Sequence, residues 1–356
     1  LDFADVAGQE HAKRALEIAA AGGHNALLFG PPGSGKTMLA RRLPGILPPF
    51  TFEEALEATV VHSVAGLTRD RGLLAVRPFR APHHSVSDAG LVGGSQVLRP
   101  GEVSLAHHGV LFLDELPEFG HAALEALRQP LEDGTVSLVR ARDRATIPAR
   151  FMLLGAMNPC PCGHAADPDP DRCTCTLPAK ENYMRRISGP ILDRFDLHIE
   201  VAALRTKDFL ALPQGEASAA VRQRVEKCRE LQRHRFAQLP GLHCNAQLSS
   251  PALRKLVDAT DAARSLLARF IDEKGLSARA HDRILKLART IADLQGDEQV
   301  DESHVHGAVQ LRCLDSPAAA AGRPDRIRMA PLQLARRAAL QPVPGPLPGA
   351  IPREGT

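Results

Sequence analysis

The stretch ALLFGPPGSGKTMLARRL, residues 26–43, restricts the fold more than any other part of the chain. It reads as a short apolar strand, a glycine-rich loop and a helix, and Gly30, Gly35, Lys36 and Thr37 satisfy the pattern G-x-x-x-x-G-K-[ST]. In that pattern successive backbone N–H groups wrap a β-phosphate at a helix N-terminus, and the lysine reaches the β/γ oxygens. Gly30, Pro31, Pro32, Gly33, Ser34, Gly35, Lys36 and Thr37 are therefore expected to bind the phosphates of ATP, with Thr37 helping to hold Mg²⁺. A strand that feeds a loop and then a helix implies an α/β domain with a parallel sheet. Further strands are expected at Ala26–Phe29, Val110–Leu113, Phe151–Ala156 and Leu197–Val201.

Two strand ends carry the remaining chemistry. GVLFLDELPEF delivers Asp114 and Glu115 at the end of a buried apolar run, where ligands bind in such sheets. Asp114 suits Mg²⁺, and Glu115 suits polarising an attacking water. The run RFMLLGAMNPC ends on Asn158, placed to orient that water or contact the γ-phosphate.

The 356 residues suffice for two domains. The α/β part is expected over 1–203 and an all-helical lid domain over 204–315, with helices near 218–236, 250–273, 277–295 and 301–314. The Pro-, Ala- and Arg-rich end, 316–356, reads as a disordered tail with one short helix near 331–340. No run of eighteen apolar residues and no signal peptide is visible, so no membrane partner is expected. The chain starts without methionine and reads as the middle of a longer protein. Seven cysteines without export signals fit a reducing cytoplasm.

Two insertions carry basic residues. The first, about 62–98, holds Arg69, Arg71, Arg77, Arg80, His83 and His84. The second, about 135–148, reads as a hairpin whose tip is crowded by Arg140, Arg142 and Arg144. Those three arginines are the expected DNA contacts, tracking phosphates without reading sequence; a merely solvated hairpin is the alternative, supported by the net charge of only +3. No tryptophan and a single tyrosine argue against a base-stacking grip.

Four cysteines fall within NPCPCGHAADPDPDRCTCTLP, residues 158–178. Cys160, Cys162, Cys173 and Cys175 can close a tetrahedral Zn²⁺ site of structural type, with His164 as a substitute ligand. Disulfides or free thiols are the alternatives. Four protein ligands leave no open position for catalysis.

Together these motifs resemble an AAA+ ATPase: Walker A at Gly30–Thr37, Walker B at Leu111–Glu115, sensor 1 at Asn158. SGPILDRFDLHIEV is similar to the arginine-finger segment, which makes Arg194 the expected trans-acting residue. KGLSARAHDRILKLARTIADL is similar to a sensor 2 helix, with Arg279 the matching arginine and Arg283 the second choice. More narrowly, VAGQEHAKRALEIAAAGGHNALLFGPPGSGKT, RPFRAPHHSVSDAGLVGG and PGEVSLAHHGVLFLDELPEF resemble the magnesium-chelatase-like ComM/YifB family over about residues 1–315. That resemblance implies a homo-oligomeric ring, a hexamer, moving on single-stranded or branched DNA in branch migration, recombination and natural transformation. It also implies an amino-terminal Lon-protease-like domain ahead of this segment. A chelatase-type remodeller of a protein partner is the competing expectation.

Overall fold

The computed structural model describes residues 1–68, 72–94, 99–139, 144–165, 167, 169–203, 215–239, 241–312 and 314. Among the described residues seven strands follow in order: β1 (Ala26–Phe29), β2 (Phe79–Arg80), β3 (Val110–Leu113), β4 (Thr135–Val139), β5 (Arg144–Pro148), β6 (Met152–Met157) and β7 (Leu197–Glu200). Five of them form a parallel sheet in the order β2-β3-β6-β1-β7, with Leu28 opposite Ala156 and Ile199, and Leu113 opposite Gly155. The parallel α/β core with a helical C-terminal region is the fold class expected.

Residues of each central strand alternate between two apolar layers, as strand geometry requires. Leu28, Phe112, Leu154 and Ile199 enter one layer; Leu27, Leu111, Leu113 and Leu153 enter the other. The first layer does not stop at the sheet. It runs through the helix Glu10–Gly22, whose Ala12, Ala15, Ala19 and Ala20 are fully buried, into Val221, Val225, Ile284 and Leu287 of the helical segment. Alanine on that helix lets two neighbours approach it at once.

The helical segment comprises Ser218–Arg235, Ser250–Leu256, Asp261–Lys274, Ala278–Gln295 and Glu302–Gln310. The stretch 250–273, expected as one helix, is two. Thr260 accepts the Ala263 N–H and caps the second, while Ala259 pairs with Val300 in a β-bridge. Residues 315–356 and Cys313 lie outside the described residues, and so does the helix expected near 331–340. Among the described residues no helix is long and apolar enough to cross a membrane.

Polar groups lock the helical segment to the sheet layer. The last carbonyls of Glu10–Gly22 lack intrahelical partners; Gln232 Nε2 donates to Ala21 O (3.0 Å) and Arg229 to Ala20 O (3.0 Å). His24 Nε2 meets Thr290 Oγ1 at 2.8 Å. Around the wholly buried Asp293 carboxylate converge Arg289 Nε (2.9 Å), Arg235 (2.9 Å) and Asn245 Nδ2 (2.8 Å).

The second insertion is the expected hairpin, β4 pairing antiparallel with β5. Its inner face is apolar: Val136 and Leu138 are buried, and Leu138 packs on Gly94 of the first insertion. The two insertions thus support one another. Removing a buried charge that holds three donors strands them, so Asp293→Ala should lower unfolding free energy by about 3–5 kcal/mol. Urea denaturation checks this, and a loss below about 1 kcal/mol would contradict it.

Candidate functional site

All strands of the sheet point the same way, so the loops after β1, β3 and β6 meet at one edge. Gly30 leaves β1 so close to β7 that a Cβ there would stand 2.1 Å from Val201 O. Gly33 and Gly35 hold φ of 73° and 95°, which side-chain-bearing residues resist. These positions shape residues 30–35 into a loop entering the helix Lys36–Arg42. Lys36 Nζ donates to Gly30 O (2.7 Å), Pro31 O (2.8 Å) and Asn158 Oδ1 (3.1 Å). Burial holds its pKa below the ordinary lysine value, against the pull of Asp114. Ser34 Oγ is buried inside the same loop and has no hydrogen-bond partner among the described residues. A phosphate would supply the acceptor that the buried Ser34 hydroxyl lacks, and it could replace the carbonyls that Lys36 now holds, so the residues fit a nucleotide.

The acidic side of the site follows from β3. Thr37 Oγ1 donates to Asp114 Oδ2 at 2.7 Å, bringing together two oxygens of the kind Mg²⁺ takes. Glu115 sits in the left-handed region (φ 54°), a conformation costing a residue with a side chain about 1–2 kcal/mol. Its backbone N–H is held by Asp114 Oδ1 (3.0 Å), and its carboxylate turns to His84 Nδ1 at 3.4 Å. His84 belongs to the first insertion, where sequence reading took it for part of a basic face. Gln9 was missed altogether. At a left-handed φ of 56° it donates to Ser34 O (3.2 Å) and Ala202 O (2.7 Å), tying the chain's first residues to the phosphate loop.

Arg194 and Arg279 lie elsewhere. Arg194 precedes β7, and its carbonyl accepts from Asn25 just before β1, so it sits at the opposite edge of the sheet from Lys36. Its guanidinium is ion-paired with Glu132. Arg279 is exposed in the first turn of Ala278–Gln295, and Arg283 stands 3.8 Å from Asp193. All three line a cleft of about 670 Å³ at that edge. Burial first, then the charges of Arg283, Arg279 and Arg128, hold Arg194 below its usual pKa. A four-residue strand is about 13 Å long, so neither arginine reaches its own phosphate loop.

Of the arginines expected on DNA, Arg144 is exposed at the start of β5, while Arg140 and Arg142 lie outside the described residues, as do Arg69 and Arg71. Arg77 and Arg80 are engaged internally, Arg77 with Glu54 (2.6 Å) and Arg80 with Glu102 (2.6 Å).

The four cysteines meet. Cys160 Sγ is 3.4 Å from Cys162 and 3.9 Å from Cys173; Cys162 is 3.8 Å from Cys173, and all four sulfurs lie within 4.8 Å of one another. They are free thiols, not disulfides. A tetrahedral Zn–S₄ unit with bonds of about 2.3 Å has S···S edges of about 3.8 Å, so the set fits Zn²⁺. His164 turns to Asp167 (3.4 Å) rather than joining it.

A second group, Glu57, His107 and His108, brings its ligand-type atoms within 4.8 Å of one another, but its hydrogen bonds work against a metal at His107. His107 Nδ1 accepts the Arg150 N–H (3.0 Å), which places the ring proton on the Nε2 that faces Glu57.

Two family models match the chain. The model for magnesium chelatase, subunit ChlI, matches residues 2–209, and that for its C-terminal part matches 215–312. The chain belongs to the magnesium chelatase ChlI family, within the AAA+ ATPases. It is 48% identical over 316 residues to competence protein ComM of Haemophilus influenzae, covering 88% of this chain and 60% of the relative. To YifB of Escherichia coli K12 it is 47% identical over 316 residues, covering 88% and 61%. The magnesium-chelatase 67 kDa subunit of Chlorobaculum tepidum is 31% identical over 161 residues, covering 44% and 23%. The chain spans about three-fifths of its ComM and YifB relatives.

Burial pushes the pKa of His107 from 6.5 down to about 4, and that of His198 down as well. Neutral in the fold and protonated when unfolded, such groups leave the unfolded state with more bound protons between these values. Stability should therefore be full above pH 6.5 and fall as pH drops towards 4, by up to about 3 kcal/mol for His107. Denaturation at pH 7 and pH 5 measures it; His107→Gln should flatten the slope.

Proposed function

We propose that this segment is the motor of a ring-forming, ATP-dependent DNA translocase of the branch-migration type, with Mg²⁺ as cofactor and a structural Zn²⁺. The observation that carries the proposal is the separation of Lys36 from Arg194 and Arg279 on opposite edges of the sheet. A site divided in this way is completed by a second copy, whose arginine edge meets the first copy's phosphate loop. Repeated head to tail, that contact closes a ring, and a hexamer is the ring proposed.

In each site Lys36 exchanges the carbonyls of Gly30 and Pro31 for β/γ-phosphate oxygens, and the phosphate loop's N–H groups bind the β-phosphate. Thr37 and Asp114 would hold Mg²⁺. Glu115, released from His84, polarises the attacking water, and Asn158 reports the γ-phosphate to β6. Arg194 of the neighbouring subunit neutralises charge gathering on the transferred group, with Arg279 beside it. The hairpin β4–β5 leads directly into β6, so a shift at Asn158 would travel along that strand towards Arg144 at the start of β5, and Arg140, Arg142 and Arg144 are the arginines proposed to meet the DNA backbone. The free thiols of the cysteine set suit a reducing cytoplasm.

The likeness to competence protein ComM supports the DNA reading. A second reading, remodelling of a protein partner, is supported by the family model and by the Chlorobaculum relative. ATP hydrolysis with and without single-stranded and forked DNA separates them, with Glu115→Gln as control. Stimulation that fades with salt is expected of a backbone-tracking motor; hydrolysis indifferent to DNA favours the remodeller.

The shared site has its own test. Arg194→Ala and Lys36→Ala should each lower turnover by about 10³-fold or more. Mixed in equal amounts they should regain activity, because roughly one site in four then joins an intact loop to an intact arginine. No recovery would mean that Arg194 does not act across an interface.

A further inference from the structure

The structure assigns to the four-cysteine site a second role: a Zn²⁺ held there positions the phosphate loop, so that nucleotide affinity depends on the metal. This rests on the reading of residues 30–37 as a nucleotide site, and not on DNA being the substrate.

Two contacts connect the cluster to that loop. Gly163, between Cys162 and His164, is packed directly on Pro32. A Cβ at Gly163 would stand 2.4 Å from Pro32 Cδ and 2.6 Å from Cγ, and its φ of 84° is one that only glycine adopts freely. The second contact runs along the chain. Cys160, buried completely, is two residues beyond Asn158, whose amide oxygen accepts from Lys36. The loop of residues 30–35 is therefore gripped from outside at Pro32 and from inside at Lys36, and both grips end in the cysteine set.

The segment that makes these grips has little to hold it in shape. Residues 161–176 contain one three-residue 3-10 helix, Pro170–Arg172, as their only regular element among the described residues; Cys160, just before them, is buried, while Cys162, Cys173 and Cys175 are only half-buried. Closure by a metal supplies what a core would otherwise provide. The Gly163 N–H donates to Cys160 O (2.9 Å) and the Cys162 N–H faces Cys175 Sγ (3.4 Å), so the turn that carries Gly163 is built around the ligands. Loss of the metal frees that turn and with it the stop behind Pro32. The site is thus set apart from a bracing role towards Arg194, which lies at the other edge of the sheet.

The test uses the whole chain. Zinc is quantified per chain by mass spectrometry of the metal, then removed by a thiol-blocking mercurial with chelator and restored after reduction. A fluorescent ADP analogue reports nucleotide affinity at each stage, and circular dichroism confirms that the fold persists. One zinc per chain is expected, with affinity falling roughly 10–100-fold on removal, the range seen when supporting partners of a site are lost, and returning with zinc. Gly163→Ala, which leaves all four ligands in place, should keep its zinc and still bind nucleotide more weakly. In a Co²⁺-substituted sample the visible thiolate bands should shift when ADP binds. Metal-free, folded protein that binds ADP as tightly as the zinc form would overturn the role, as would a Gly163→Ala variant of unchanged affinity or a chain that binds no zinc. Failure of the untreated protein to bind ADP would instead overturn the nucleotide site itself.

Discussion

Gly30 has no side chain, and everything at the nucleotide edge depends on that. Because β1 can pass within contact distance of Val201 O, the loop leaves the sheet between β6 and β7 instead of over them. Lys36 then stands below the loop with its ammonium within reach of Asn158, and Thr37 faces Asp114. A methyl group at residue 30 would push the loop outward and separate these pairs together. Three motifs far apart in the chain become one site through a single close backbone approach.

The parts of the site that were legible in the sequence share a property: each lies just downstream of a short apolar run. Lys36, Asp114 and Asn158 follow strands whose burial is complete, so the run announces the strand and the strand announces its end. The residues that escaped notice are those whose role depends on a distant backbone. Gln9 reads as an ordinary polar residue until its amide is found on Ser34 and Ala202. Pro32 and Gly163 carry no shared signal, though they touch. β2 has two residues, too few for any period, and the break at Val257–Thr260 has neither proline nor glycine to mark it. Arg77 and Arg80 looked like surface charge because the acids that pair with them, Glu54 and Glu102, are more than twenty residues away.

The two edges of the sheet divide labour. One gathers backbone donors, hydroxyls and carboxylates around the phosphate loop. The other presents Arg194, Arg279 and Arg283 in one cleft, where burial and then the charges of Arg283 and Arg279 hold Arg194 below its usual pKa. In the single chain Glu132 is ion-paired with Arg194, and the same glutamate lies in the last turn of the helix Arg128–Asp133, which leads into the hairpin. An anion arriving from outside would compete with Glu132 for that guanidinium.

The alanine-lined helix Glu10–Gly22 has a mechanical consequence. One of its flanks lies on the sheet and another on the helical segment, and its last carbonyls are held by Gln232 and Arg229. Dry, close-packed surfaces of this kind do not slide gradually. The helical segment is therefore fastened to the sheet as a flange is to a wheel. Any displacement begun at the phosphate loop would reach Ala278–Gln295 as a rotation of the whole body, and the give in an assembly of such bodies would lie at the joints between them.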